Sequence, residues 1–274
     1  MKRIVLPLVL LLSCSALFSA YGHANALPSS QVSSSAQKLP LARPLVRRSP
    51  GVYDEQLLRQ HADGSSAESL RFVLSVPEND LANAATPLVV ALHYSGNITP
   101  FFAEDMFYDL IDPALADLNA LVILPDALSN DWTTPANEAA LLQLIASIQA
   151  AYQIDTNRIL LTGYSLGGTG AWYLGQRHQA LFSAILPISG MPPAPEQATP
   201  AQQKWQIPIY AIHSLTDQVS SVTATRDYIM LLQASGSDAT LVTLEQANHY
   251  DFAAFTDALY QAIPWIESIW KQPE

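Results

Sequence analysis

The sequence has 274 residues, 49% of them hydrophobic, which is enough to bury one sizeable core, and α/β domains of this length commonly stay undivided. The formal net charge of −11 at pH 7 argues against a nucleic-acid partner, because phosphate backbones are bound by clusters of Lys and Arg. Residues 72–157 contain no Lys or Arg but many Asp and Glu, a pattern that also repels polyanionic substrates.

The N-terminus has the pattern of a secretory signal peptide. Two basic residues precede an apolar stretch over residues 4–18, and a small-x-small cleavage signal ends at Ala26. We therefore expect residues 1–26 to be removed and the protein to be exported, to the periplasm or as a secreted protein. The single cysteine, Cys14, lies in a lipobox-like sequence, so a lipid anchor on the bacterial envelope is the alternative, and membrane association is expected only in that form.

Residues 27–50 are rich in Ser, Gln, Pro and Ala, a composition that cannot build a core, so we predict a flexible linker before a folded domain over 51–274. The first two apolar segments of that domain, 52–59 and 70–76, flank a stretch of turn residues at 61–66. This arrangement predicts an antiparallel hairpin at the start of the sheet.

Apolar runs and amphipathic stretches alternate along the rest of the domain. The runs are nearly continuous, as a sheet covered on both faces requires, and predict strands at 88–92, 121–124, 159–162, 184–188, 207–212 and 240–244. The stretches between them predict helices at about 101–118, 137–152, 167–177, 221–235 and 252–270. Pro113 and Pro264 predict kinks or breaks in two of them. The alternation indicates an α/β fold with a mostly parallel central sheet flanked by helices.

The strongest chemical signal is the pentapeptide Gly-Tyr-Ser-Leu-Gly at 163–167, directly after a predicted strand and directly before a predicted helix. A serine on such a sharp turn is presented as a nucleophile, and its close-packed backbone needs small residues on either side. We therefore predict Ser165 as the nucleophile, with Tyr164 beside it as a candidate substrate contact.

With this motif, the sequence from about residue 52 to residue 270 resembles single-domain α/β-hydrolases such as carboxylesterases, feruloyl esterases and polyhydroxybutyrate-depolymerase-like proteins. The resemblance implies the α/β-hydrolase fold, serine esterase chemistry, and a chain order of serine, then acid, then histidine. It does not specify a substrate. The segments that carry it are Pro87–His93, Ile154–Ile159, Gly163–Gly168, His213–Asp217 and Asn248–His249.

That order places the acid and the base late in the chain. Only His213 and His249 follow predicted strands beyond Ser165. His213 stands where relatives have a histidine shortly before the acid, so we interpret it as a structural loop residue. Asp217 is then the predicted acid and His249 the predicted base. If the strand boundaries are shifted, the other candidates for the acid are Asp227, Asp238 and Asp251.

The oxyanion formed on attack needs two fixed donors, and we predict them at Leu166, through its backbone N–H, and at Tyr94. Relatives usually have Gly where this sequence has Tyr94. Three roles for Tyr94 remain open. Its backbone N–H is the donor, or its phenol is the donor, as in prolyl-oligopeptidase-like peptidases, or the residue serves only in packing. Trp132 follows the strand at 121–124 and is either a substrate contact or a core residue.

These residues predict an exported serine esterase that acts on small-molecule or polymer-linked esters through an acyl-enzyme. The Pro-, Ala- and Gln-rich stretch at 190–206 occupies the place of a large cap domain, so the cleft is expected to be open. Dispersed histidines and the lack of a phosphate-binding loop argue against a metal or other cofactor. Two alternatives remain: a serine peptidase of the prolyl-oligopeptidase-like type, and a non-catalytic binding protein on the same fold.

Overall fold

The computed structural model of the chain describes residues 45–59, 68–78, 85–194 and 204–271. The predicted signal peptide with Cys14, most of the predicted linker and the predicted hairpin turn lie outside the described residues. So does the middle of the stretch at 190–206. Its described ends, 189–194 and 204–208, contain no helix.

A single sheet of eight strands forms the centre of the described domain. The strands are β1 (Gly51–Arg59), β2 (Glu68–Val76), β3 (Thr86–Leu92), β4 (Leu121–Pro125), β5 (Ile154–Tyr164), β6 (Ala184–Ile188), β7 (Ile209–Ser214) and β8 (Ala239–Leu244). Their order across the sheet is β1-β2-β4-β3-β5-β6-β7-β8. β2 is antiparallel to both β1 and β4, and all other neighbours are parallel. The predicted hairpin and mostly parallel sheet are confirmed.

Helices connect the parallel strands. They are α1 (Glu104–Met106), α2 (Asp112–Leu115), α3 (Pro135–Ala151), α4 (Leu166–Arg177), α5 (Val222–Ala234), α6 (Phe252–Gln261) and α7 (Ile263–Trp270), with 3-10 turns at Ala116–Leu118 and Gln179–Leu181. The helix predicted at 101–118 is not continuous, because a π turn at Phe107–Ile111 separates α1 from α2. Pro113 has no N–H to donate to the preceding turn, which accounts for the interruption. The break predicted at Pro264 is confirmed between α6 and α7.

Both faces of the sheet are covered, and β3 illustrates this. Its residues Leu88, Val90 and Leu92 belong to the apolar core on one side, and Val89 and Ala91 to the core on the other. Successive side chains of a strand point to opposite faces, so a strand buried on both must be apolar throughout. At about 1.5–3 kcal/mol for each large apolar side chain, this burial is the main stabilising contribution to the domain.

The connecting loops at the carboxyl ends of β5, β7 and β8 carry the predicted chemistry. In open α/β sheets this is the edge at which ligands bind. β7 extends to Ser214, so His213 is a strand residue, not a loop residue as predicted. Within the described ranges, no helix has the length and apolar character needed to cross a bilayer.

Candidate active site

Ser165 lies on the turn between β5 and α4 with backbone angles of φ 57° and ψ −115°. A positive φ is strained for a residue with a side chain, and such strain persists only where surrounding contacts hold it. One of these contacts is the hydrogen bond from the Ser165 N–H to the carbonyl oxygen of Ile188, at 2.9 Å, which joins the turn to β6. The strained turn therefore has support from the neighbouring strand.

The glycines on either side of Ser165 are required by close backbone packing. A Cβ atom added to Gly163 would lie 2.3 Å from the carbonyl oxygen of Gly167. One added to Gly167 would lie 1.8 Å from the carbonyl oxygen of Leu92, in β3. Neither distance is compatible with a side chain, so the small residues of the pentapeptide follow directly from how α4 packs against the sheet.

His249 and Asp217 reach Ser165 from two neighbouring loops. The Nε2 atom of His249 lies 2.9 Å from the Ser165 Oγ, and its Nδ1 atom lies 2.7 Å from the Oδ2 of Asp217. The ionised carboxylate only accepts hydrogen bonds, so Nδ1 carries the proton and Nε2 accepts from the serine hydroxyl. The structure thus joins the three predicted residues in one hydrogen-bonded series.

Asp217 is held as an anion inside the protein. Its Oδ1 accepts the backbone N–H groups of Val219 and Ser220, both at 2.8 Å. Burial by itself raises the pKa of Asp217, but the hydrogen bonds from His249, Ser220 and Val219 outweigh it and keep the pKa below its ordinary value. The carboxylate therefore stays ionised at neutral pH.

This depressed pKa predicts how stability depends on pH. A carboxyl group whose pKa is lower in the folded state stabilises the fold fully above its unfolded pKa of about 3.9, and this contribution is lost as the pH falls further. We expect the free energy of unfolding, measured in urea from pH 7 to pH 3, to fall less steeply below about pH 4 in Asp217→Asn than in the wild type. Equal slopes would contradict the assignment.

Hydroxyl groups link the loops that carry Asp217 and His249. The side chains of Ser214 and Thr216 both donate to the carbonyl oxygen of Ala247, the latter at 2.5 Å. The hydroxyl of Tyr164 donates to the backbone carbonyl of His249. Sequence reasoning missed this role of Ser214 and Thr216, although two hydroxyl residues within three positions before a predicted acid are a usable signal.

Tyr164, the predicted substrate contact, is buried: its ring stacks on that of His249 and packs against Phe252 and Phe255. Burial raises the pKa of its phenol, so the hydroxyl remains a donor.

Removing the Tyr164 hydroxyl leaves the buried carbonyl of His249 without this donor. We therefore expect Tyr164→Phe to lower the free energy of unfolding by about 1–3 kcal/mol. Tyr250 is 73% exposed and follows His249 directly, so Tyr250→Phe is the matched control, with an expected change within about 0.5 kcal/mol. Urea denaturation of both variants measures the difference, and an equal effect would refute the role given to Tyr164.

The two residues predicted to bind an oxyanion lie at the ends of neighbouring strands. Leu166 is the first residue of α4, so its N–H has no acceptor within the helix and lies at the positive end of the helix dipole. Tyr94 follows β3, and its ring packs against Phe102 and Phe252, with centroids 5.4 and 5.8 Å away. The ring therefore has the packing role.

The loop of Tyr94 is held by a buried histidine. The Nδ1 of His93 donates to the carbonyl oxygen of Tyr94 at 2.6 Å, and its Nε2 accepts the N–H of Ala127 at 2.9 Å. Burial lowers the pKa of His93, which keeps the ring neutral and able to make both bonds. His93 thus fixes the backbone at the end of β3 next to the turn of Ser165.

Trp132 has the core position that was one of its two predicted roles. Its side chain is 2% exposed, and its indole N–H donates to the carbonyl oxygen of His93 at 2.9 Å. A Cβ added to Gly170, in α4, would lie 2.5 Å from the Cβ of Trp132. The ring therefore packs between α4 and the end of β3.

The other aspartates considered for the acid have different places. Asp251 caps α6 by accepting the N–H of Ala254 at 3.3 Å, and Asp227 lies within α5. Asp238 immediately precedes β8. In the described ranges, no group of three or more His, Cys, Asp or Glu side chains is arranged to hold a metal ion.

The strand order, the helices on both faces and the serine on a strained turn after β5 define an α/β-hydrolase fold. The chain belongs to the phospholipase/carboxylesterase family, whose sequence profile matches residues 119–264. The resemblance and the fold class predicted from the sequence are thereby confirmed. No curated protein sequence matches the chain.

Three solved structures illustrate the likeness. A thermostable esterase is 20% identical, with a TM-score of 0.62 over 78% of this chain and 62% of the esterase. A ferulic acid esterase is 18% identical, with a TM-score of 0.62 over 81% of this chain and 100% of the other. The acylaminoacyl peptidase of Pyrococcus horikoshii is 14% identical, with a TM-score of 0.63 over 83% of this chain but only 43% of the peptidase. At these identities the likeness shows the fold.

Proposed function

We propose that this protein hydrolyses carboxylic esters through an acyl-enzyme, with Ser165 as nucleophile, His249 as base and Asp217 as the acid that orients the imidazole. The observation that carries the proposal is the continuous series from Ser165 through His249 to Asp217, with contacts of 2.9 and 2.7 Å. Membership of a phospholipase/carboxylesterase family supports it.

In this mechanism the Ser165 Oγ attacks the ester carbonyl while His249 Nε2 takes its proton. The protonated imidazole then delivers that proton to the leaving alcohol, and the acyl group remains on the serine. A water molecule then gives its proton to His249 and attacks the acyl-enzyme, and His249 returns that proton to the Ser165 Oγ as the acid is released. Asp217 keeps the proton on Nδ1 throughout, so that Nε2 is the nitrogen that exchanges protons with the reacting oxygens.

The negative oxygen of each tetrahedral intermediate is proposed to be held by the backbone N–H groups of Leu166 and Tyr94. The backbone N–H of Leu166, at the start of α4, has no acceptor within the helix. His93 fixes the backbone of Tyr94 through the bond to its carbonyl oxygen. We favour the backbone of Tyr94 because its ring is engaged by Phe102 and Phe252.

The rim of the site suits uncharged, partly apolar esters, either small or linked to a polymer. Tyr250 contacts the His249 ring edge-on, with centroids 5.2 Å apart, and is largely exposed. The net charge of −11 disfavours polyanionic substrates. Exposed apolar side chains also follow β6 and β7 at the same edge of the sheet, namely Met191, Leu215 and Val219.

A panel of substrates tests the proposal. Nitrophenyl esters of graded acyl length, an aryl ester of a sugar acid and a polyester film are incubated with purified enzyme, and turnover is measured. Labelling of Ser165 by a fluorophosphonate, located by mass spectrometry, identifies the nucleophile. Lack of both turnover and labelling would favour the alternative of a non-catalytic binding protein on the same fold.

A peptidase of the prolyl-oligopeptidase-like type is the second candidate, favoured by a tyrosine at position 94 and by the likeness to an acylaminoacyl peptidase. An amine leaves only if His249 protonates it during C–N cleavage, which requires a peptide held in register. We therefore expect kcat/KM on a nitrophenyl ester to exceed that on any aminoacyl anilide at least about a hundredfold. Comparable values on an anilide would establish the peptidase, and Tyr94→Phe would then test the phenol.

Export is also proposed, on the strength of the N-terminal pattern. The expected mature chain begins at Leu27, after removal of residues 1–26. N-terminal sequencing and intact-mass measurement of material from the periplasm and the medium test this. A mass that corresponds to a lipid-modified Cys14 at the N-terminus would show the envelope-anchored form instead.

A further inference from the structure

A second histidine contacts the carboxylate of Asp217. His213, in β7, is fully buried, and its Nε2 lies 3.3 Å from the Oδ2 of Asp217. This is the oxygen that also accepts from His249. The imidazoles of His213 and His249 therefore approach one carboxylate oxygen from two sides.

The protonation of His213 follows from its partners. Its Nε2 lies 3.1 Å from the carbonyl oxygen of Ser220, which only accepts, so Nε2 carries a proton. The N–H donates chiefly to Ser220 and, over the longer distance of 3.3 Å, also to the Oδ2 of Asp217. Its Nδ1 lies 3.0 Å from the hydroxyl of Thr225, a buried residue of α5. Burial lowers the pKa of His213, so the ring is neutral and Nδ1 accepts from Thr225.

We infer that His213 is a positioning residue: its Nε2–H, oriented by Thr225, fixes the Oδ2 of Asp217 in the place where it orients His249. The inference deepens the proposed function and rests on it. The Oδ1 of the same carboxylate is fixed by Val219 and Ser220. Without His213, the Oδ2 would keep His249 as its partner but would lose the donor that limits rotation of the carboxylate.

Four variants test the inference. His213→Gln keeps an N–H donor near the position of Nε2, His213→Leu removes it, and His213→Asn places its amide near the position of Nδ1. Thr225→Val removes the group that orients the ring. We express rates per active site titrated with a fluorophosphonate, so that the fraction of folded enzyme does not enter the comparison.

For a nitrophenyl ester we expect His213→Leu to lower kcat about 10- to 100-fold, the usual effect of losing a hydrogen bond to a charged group, with KM within about twofold. His213→Gln should restore kcat to within about fivefold of the wild type. Thr225→Val should lower it about threefold. His213→Asn should behave like His213→Leu, and it replaces that variant if His213→Leu does not fold.

The pH profile of kcat/KM gives a readout that a merely structural role would not change. The titratable groups that act on His213 are Asp217 and His249. The positive end of its N–H dipole lies near the Oδ2 of Asp217, and it opposes a positive charge on the His249 ring that binds the same oxygen. In His213→Leu we therefore expect the midpoint of the acid limb of the kcat/KM profile to move to higher pH by about 0.5 pH unit. In His213→Gln this midpoint should not move.

His178→Gln is the matched control, because His178 binds Glu138 at the end of α4 and should leave kcat unchanged. Equal losses in His213→Leu and His213→Gln, or a His213→Leu or His213→Asn enzyme with more than half of the wild-type kcat, would overturn the inference while leaving the proposed function intact. A wild type that neither turns over esters nor reacts with the fluorophosphonate would refute both.

Discussion

Replacing Ser165 by Ala is expected to lower kcat for ester hydrolysis by a factor of about 10⁴ to 10⁶, because it removes the Oγ that we propose attacks the ester and accepts the acyl group. The remaining donors and the binding cleft stabilise the transition state without forming a covalent intermediate. The backbone of the turn is held by the bond from the Ser165 N–H to Ile188, which alanine retains. The fold should therefore persist.

Steady-state kinetics on a nitrophenyl ester measure the loss, and circular dichroism with urea denaturation establishes that the variant is folded. Ser268→Ala, on the exposed side of α7, is the matched control and should keep wild-type turnover. A folded Ser165→Ala enzyme with more than a tenth of wild-type turnover would exclude the acyl-enzyme mechanism.

Replacing Gly167 by Ala is expected to destabilise the fold by at least about 3 kcal/mol, beyond the usual range for a single added methyl group. The added Cβ would lie 1.8 Å from the carbonyl oxygen and 2.5 Å from the carbonyl carbon of Leu92. These are backbone atoms of a central strand, so the clash cannot be relieved by a change of side-chain rotamer. The start of α4 would have to move away from β3 and take Ser165 with it.

Gly236→Ala is the matched control for this variant. Gly236 has a φ of 82° but no atom within 4 Å of an added Cβ, so alanine there meets backbone strain without a clash, at a cost of about 1 kcal/mol. Urea denaturation of both variants compares the two costs directly. If Gly167→Ala were as stable as Gly236→Ala, this explanation, a clash between α4 and the backbone of β3, would be refuted.

Several parts of the fold and the site are encoded locally and were predictable. Continuous apolar runs predict strands buried on both faces, as β3 demonstrates, and Pro264 predicts the break between α6 and α7. The position of Ser165 between a strand and a helix could be read from the pentapeptide. The order of the later residues then indicated His249 and Asp217, which the structure joins to Ser165 by hydrogen bonds.

Other features depend on contacts between segments that are far apart in the sequence. Tyr164 is next to Ser165 along the chain and Trp132 follows β4, but both side chains are buried in the core. The direction of a side chain depends on strand register and helix packing.

The sequence by itself determined the strand and helix alternation and the tight turn of Ser165, because these rest on periodicity and on small residues at fixed spacing. Only the tertiary structure decided that the Asp217 carboxylate lies between His249 and His213. His213 and Asp217 are four residues apart, yet a loop places the aspartate back against the strand that carries the histidine. The hydroxyls of Ser214 and Thr216 hold the bend of that loop by donating hydrogen bonds to the carbonyl oxygen of Ala247, more than thirty residues away along the chain.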